Sequence, residues 1–265
     1  MSTAEWLLRR DRWLTAGALA VVAVLAWAYT LAGAGLGMSA MDMTRAGMTP
    51  TSVPAAVMGN VTWTIPHAAI MLAMWWVMMV AMMLPSVAPV VLLAAAINHR
   101  SNMQQAPFGA TSAFVSGYLL AWLFFCVCAV AVQWVLQKTG QLSATMHVTS
   151  AYVSAALLIA AGAWQFTPAK RACLKHCRGP VELLVRWRRP GTWGALVMGA
   201  RHGGYCLGCC WFLMALLFVG GAMNLYWIVG LSLYVLLEKF GPRGGWVEWT
   251  TGTALVLGGA IVLLH

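Results

Sequence analysis

The chain has 265 residues, of which 62% are hydrophobic and only 8% charged, and its formal net charge is +10. Globular domains average about 45–50% apolar and about 25% charged residues, so 16 Lys and Arg with 6 Asp and Glu are too few to solvate a water-soluble domain of this length. The composition excludes a soluble enzyme and a disordered chain. The positive charge lies in short blocks between long apolar runs, which is the pattern that orients a membrane protein and not that of a nucleic-acid reader.

In chain order, seven apolar runs cover residues 13–37, 67–97, 108–136, 149–168, 198–220, 223–238 and 247–264. A bilayer-spanning helix needs about 20 mostly apolar residues. The runs are continuous, without the alternation that barrel strands require. The expected fold class is therefore all-α: a polytopic helical membrane protein of about seven transmembrane helices, forming a single membrane domain over residues 1–265. The sixth run is the shortest. The first is too long for the core of a signal peptide and is expected to remain as an anchor.

Seven spans put 13 of the 16 basic residues on one side. These are Arg9, Arg10, Arg12, Arg100, Lys170, Arg171, Lys175, Arg178, Arg186, Arg188, Arg189, Lys239 and Arg243. Arg45 and Lys138 fall on the other side, and Arg201 lies at the fifth span. The positive-inside rule then predicts a cytoplasmic N-terminus in the bacterial inner membrane, with a periplasmic Met-rich loop over 38–66 and a basic cytoplasmic loop over 169–197. The bilayer is the first partner expected, and nucleic acid is excluded. A membrane or periplasmic protein partner and a homo-oligomer remain open.

Eleven of the 17 Met residues lie between Met38 and Met83. The outer loop reads MSAMDMTRAGM, and the second run reads HAAIMLAMWWVMMVAMMLPS. In it His67, Met71, Met74, Met78 and Met82 are spaced by 4, 3, 4 and 4, which keeps one face of a helix. Pro85 and Pro89 are expected to bend or end that helix. A Met stripe also suits plain packing, because the side chain is flexible and fills irregular gaps. The His at its head and the Met-rich loop before it favour the sharper reading, since thioethers are soft ligands that suit Cu(I).

The seven Cys form three groups. Cys126 and Cys128 fall on different faces of the third run and read as packing residues. Cys173, His176 and Cys177, in KRACLKHCR, share one helix face. His202 and Cys206 share another, with Cys209 and Cys210 straddling it one turn on, in RHGGYCLGCCW. The charge map puts both clusters near the cytoplasmic boundary, where disulfides are rare and Cys at such spacings points to metal or redox chemistry. Thiolate and imidazole suit copper, zinc or an iron–sulfur cluster. A noncovalent haem also stays open, although the absence of CxxCH leaves a covalent one unsupported. Glu238 and Lys239, at the end of the sixth run, read as an interfacial ion pair, with an inward-facing Glu238 acting as ligand or proton carrier as the sharper alternative. No P-loop, GxSxG or HExxH is present, and six acidic residues are too few for a carboxylate-bridged di-iron site.

Three strings, WWVMMVAMMLPS (75–86), WQFTPAKRACLKHCR (164–178) and RHGGYCLGCCWFLMALLFVGGAMNLYWI (201–228), resemble a bacterial family known as predicted metal-binding integral membrane proteins. The resemblance covers residues 63–240 or so. It is carried by Trp75, Met78, Met79, Met82, Met83, Pro85, Cys173, Cys177, His202, Cys206, Cys209 and Cys210. It implies a polytopic membrane fold and a bound metal, and no particular activity.

The leading functional expectation is soft-metal handling: Cu(I) bound, transferred or taken up along the Met stripe to the Cys/His cluster. A metal-dependent membrane redox enzyme and an accessory or assembly subunit of a membrane complex are the alternatives.

Overall fold

A computed structural model of the chain describes residues 3–34, 39–48, 63–101, 107–143, 146–179, 191–241 and 245–264. Among these, the backbone is helical or irregular apart from one isolated bridge between Leu142 and Val148. The helices are α1 (Thr3–Leu31), α2 (Ala40–Met48), α3 (Ile65–Ser101), α4 (Pro107–Lys138), α5 (Ala151–Gln165), α6 (Pro168–Arg178), α7 (Gly191–Ala215), α8 (Leu217–Gly220), α9 (Leu225–Phe240) and α10 (Trp246–Leu264).

The all-α expectation holds. Among the described residues, five segments are long and apolar enough to cross a membrane: Trp13–Leu31, Ile65–Ala96, Gly109–Lys138, Gly191–Gly220 and Trp246–Leu264. This is compatible with a membrane protein but is two short of the seven runs. Runs 149–168 and 223–238 fold as α5 and α9, of 15 and 16 residues. At 1.5 Å per residue these reach about 22–24 Å, less than the hydrocarbon core of about 30 Å. The first stops short of its run, and the second is as short as its run. Thr167 caps the next helix with Pro168 at its first position, and Gly241 closes α9.

Other boundaries move as well. The helix expected to bend or end at Pro85 and Pro89 runs through both to Ser101. Proline is tolerated in apolar helices where side chains and neighbouring helices satisfy the freed backbone groups. The Met-rich loop contains α2, whose first turn is capped by Ser39, bonded to the Asp42 carboxylate at 2.6 Å. The basic loop contains α6 and the first turns of α7, and its residues 180–190 lie outside the described residues.

Helix α3 is the central element: 67% of its best span is buried, against 11% for α1. The α4–α7 contact is a glycine seam. A Cβ on Gly117 would sit 2.0 Å from Leu196 O, and one on Gly199 would sit 1.9 Å from Phe114 O. Small residues let the two backbones approach closely, as in membrane helix pairs. Gly162 and Gly259 bring α5 and α10 together in the same way. Side chains join α3 to α4: Trp75 Nε1 donates to Gln133 Oε1 at 2.7 Å, and Trp63 Nε1 to Gln137 Oε1 at 3.1 Å.

Candidate functional site

The Met stripe turns inward. Met71, Met74, Met78 and Met82 are each 1% exposed or less, and Met79 and Met83 are fully buried beside them. His67 at the head of the stripe is half-buried and meets Trp63 edge-on at 5.1 Å. Below it, the buried Gln133 amide donates to Met71 Sδ at 3.3 Å, with Met146 Sδ at 4.0 Å. The inward face satisfies what a thioether path needs, and it equally suits packing.

The two Cys/His clusters are brought together by α6. Thr167 caps this helix by accepting from Lys170 N at 3.2 Å. Lys170 is fully buried and bonds both Gln165 and the Glu238 carboxylate. At the other end, Arg178 donates to Glu238 O at 2.7 Å and to Glu248 Oε1 at 2.8 Å. Helix α6 is thus clamped to α9 and α10, and Cys177 is buried with its Sγ 4.0 Å from Cys209 Sγ. With metal–sulfur bonds of about 2.3 Å, two sulfurs on one ion stand about 3.8–4.6 Å apart. The pair therefore fits a soft ion with little rearrangement.

Cys206 and its neighbours continue the cluster. The Cys209 and Cys210 thiols donate to Cys206 O at 3.0 and 2.9 Å. Cys206 Sγ lies 3.1 Å from Tyr118 Oη and accepts from Lys239 Nζ at 3.1 Å. Cys173 rests on Gly208, where any Cβ would fall 2.7 Å from its sulfur. His176 turns elsewhere: its ring stacks on Tyr205 at 4.3 Å, and its Nδ1 donates to Ala172 O at 2.8 Å. His202 is 2% exposed beside Phe114 and Tyr118, and its Nδ1 has no hydrogen-bond partner among the described residues. The convergence stops at pairs: among the described residues no three His, Cys, Asp or Glu side chains are grouped to hold one ion.

Hydrogen bonds with Cys206 and Cys209, and then burial, hold the Cys177 thiol well above its ordinary pKa. Burial, and then the neighbouring Cys209, raise that of Cys173. Both therefore stay protonated at neutral pH, and a metal that binds them must expel protons.

Sequence reasoning missed several of these contacts. Lys239 does not pair with Glu238. Its buried ammonium donates to Ser86 Oγ at 2.7 Å as well as to Cys206, while Glu238 is taken by Lys170. Both lysines were counted as orienting charges, although they are internal. A Lys directly at the end of an apolar run was the available signal for Lys239. For Ser86 and Tyr118 the sequence carried none. Gln133 was visible as a lone amide inside an apolar run.

A family model described as PpoB2, copper chaperone, matches residues 72–262. The chain belongs to this copper chaperone family. The matched span contains Met74, Met78, Met82 and all seven cysteines, and it begins after His67 and Met71. Membership supports copper as the metal handled, over the zinc, iron–sulfur and haem options. No curated protein and no solved structure matches the chain.

Proposed function

We propose that this chaperone works in the bacterial inner membrane, where it collects Cu(I) on the thioethers of α3 and holds it on the thiols of Cys177 and Cys209. It then passes the ion to a membrane cuproenzyme. Copper is cargo in this reading. The family's description as chaperones favours capture and delivery over uptake for its own sake.

One observation carries the reading: the inner end of the thioether run adjoins the thiols. Ser86 bonds Met83 O at 2.8 Å, Lys239 bonds Ser86 at 2.7 Å, and the same ammonium bonds Cys206 Sγ at 3.1 Å. The buried thioethers and the thiol cluster thus share one packed interior, linked through the Ser86 hydroxyl and the Lys239 ammonium. Thiolates bind Cu(I) more tightly than thioethers do, so an ion moving this way goes from weaker to stronger ligands. The basic side of the chain, taken as cytoplasmic, would carry the thiols.

The test is Cu(I) retention by the purified full chain against a graded series of Cu(I) chelators. The Cys177→Ser, Cys209→Ser double variant is expected to lose bound copper at a chelator concentration at least about tenfold lower than wild type. Equal retention would overturn the thiol site.

A further inference from the structure

A cleft of about 690 Å³ lies between α6 and the first turn of α10. Its walls include Arg171, Lys175 and Arg178 from α6, Glu248 and Trp249 from α10, and Gln165 from the end of α5. Three cations thus face one carboxylate. Two polar atoms in this lining are buried without a hydrogen-bond partner among the described residues, Gln165 Nε2 and Glu248 Oε2, on residues only 2% and 5% exposed. The second polar atom of each side chain is committed: Gln165 Oε1 accepts from Lys170, and Glu248 Oε1 from Arg178. What remains is a donor on one wall and an acceptor on the other. Leaving such buried groups unpaired is unfavourable, and a ligand that meets both relieves it.

The cleft also sits where a lipid headgroup would. Trp246 opens α10, a helix long enough to cross a membrane. One turn on, Trp249 is 61% exposed and packs its ring against Phe166 at 4.9 Å. Exposed Trp at a span end is the usual side chain of the membrane–water interface, and basic pockets between helices on the cytoplasmic side hold anionic headgroups.

We propose that this cleft binds the headgroup of an anionic glycerophospholipid that carries a free hydroxyl, of the phosphatidylglycerol type. The phosphodiester lies against Arg171 and Lys175, whose side chains are exposed at the mouth. Gln165 Nε2 donates to a phosphate or ester oxygen, and a headgroup hydroxyl donates to Glu248 Oε2. A phosphatidylcholine headgroup offers no hydroxyl and brings its own cation among three others. Because Arg178 lines the cleft and also clamps α6 onto α9, the lipid braces the helix that carries Cys177. The assignment rests on the cleft alone and does not depend on copper.

The experiment uses the delipidated full chain in detergent, with lipid adducts followed by native mass spectrometry. Phosphatidylglycerol is expected to bind at least about tenfold more tightly than phosphatidylcholine. The Arg171→Gln, Lys175→Gln double variant should abolish that preference, while Lys138→Gln, at the far end of α4, should leave it intact. A lipid-free thermal transition like that of wild type would show that the double variant is folded. Equal binding of the two lipids, or a preference that survives in the double variant, would overturn the proposal. So would full displacement by millimolar inorganic phosphate, which would mark a free-phosphate site.

Discussion

Cys177 and His176 are neighbours on α6, and one peptide bond separates a buried thiol facing Cys209 from an imidazole stacked on Tyr205. The i, i+3, i+4 spacing put Cys173, His176 and Cys177 on one face. That face is wide enough to cover both the thiol cluster and the Tyr205 ring, so spacing alone could not divide the ligands. His176→Ala is accordingly expected to keep chelator-resistant copper within about twofold of wild type, measured as for the cysteine variants; a loss as large as theirs would return His176 to the site. A second histidine supplies a pH test. Burial lowers the pKa of His147, which lies 2.6 Å from Ser143 Oγ in the turn before α5. The unfolded chain takes up this proton at about pH 6.5, before the folded turn does. The His147 contribution is therefore present above that pH and is lost as pH falls through it. Hydrogen exchange over 146–150, corrected for its intrinsic rate, should show protection falling between pH 7.5 and 5.5, and His147→Gln should flatten the change.

At the scale of elements, the long helices were legible because their apolar runs are long, and the short ones were not. Runs 149–168 and 223–238 read as spans by hydrophobicity; Thr167 and Pro168 cut the first to the 15 residues of α5, while α9, closed by Gly241, keeps the 16-residue length of its run. A cap changes one residue and leaves the hydropathy of its run untouched. Of the two outcomes expected at Pro85 and Pro89, a bend or an end, the end is excluded. Pro85 and Pro89 stay inside α3, because a buried helix can satisfy the carbonyls that proline frees through its neighbours. The glycines along α7 meet different surroundings: Gly199 and Gly203 take α4, Gly208 takes Cys173, and Gly204 takes nothing within 4 Å. The two ends of this series should therefore behave differently. Gly199→Ala places a Cβ on Phe114 O and is expected to lower stability by about 1–3 kcal/mol or more, as overpacking does. Gly204→Ala meets open space and should be neutral or stabilising by up to about 1 kcal/mol. Thermal unfolding in detergent, run on both variants together, checks the contrast; equal effects would mean that α4 and α7 are not in close contact.

Across the whole molecule, charge carries two roles that the sequence does not separate. Most basic residues stand at the ends of apolar runs, as an orienting charge should, but Lys170 and Lys239 are internal, one clamping α6 to α9 and the other joining Ser86 to Cys206. Burying a charge is costly unless it is paired, so Glu238, Gln165 and the Cys206 sulfur are the partners that let these lysines sit inside. The result is one interior in which the run from Met71 to Met82 leads to a cationic contact and then to thiols. Position alone does not distinguish a path from a core, because both require buried sulfur. Chemistry does. Replacing Met78 and Met82 by Leu conserves volume and apolarity and should cost under about 1.5 kcal/mol at each position. The thermal transition should therefore stay near that of wild type. If the thioethers pass copper, the double variant should load the Cys177–Cys209 pair several times more slowly from external Cu(I), with its final occupancy unchanged because the thiols are intact. Stopped loading followed by metal analysis reads both quantities. An unaltered rate, in a protein whose cysteine variants do lose copper, would assign the stripe to packing and leave the thiols as the copper site.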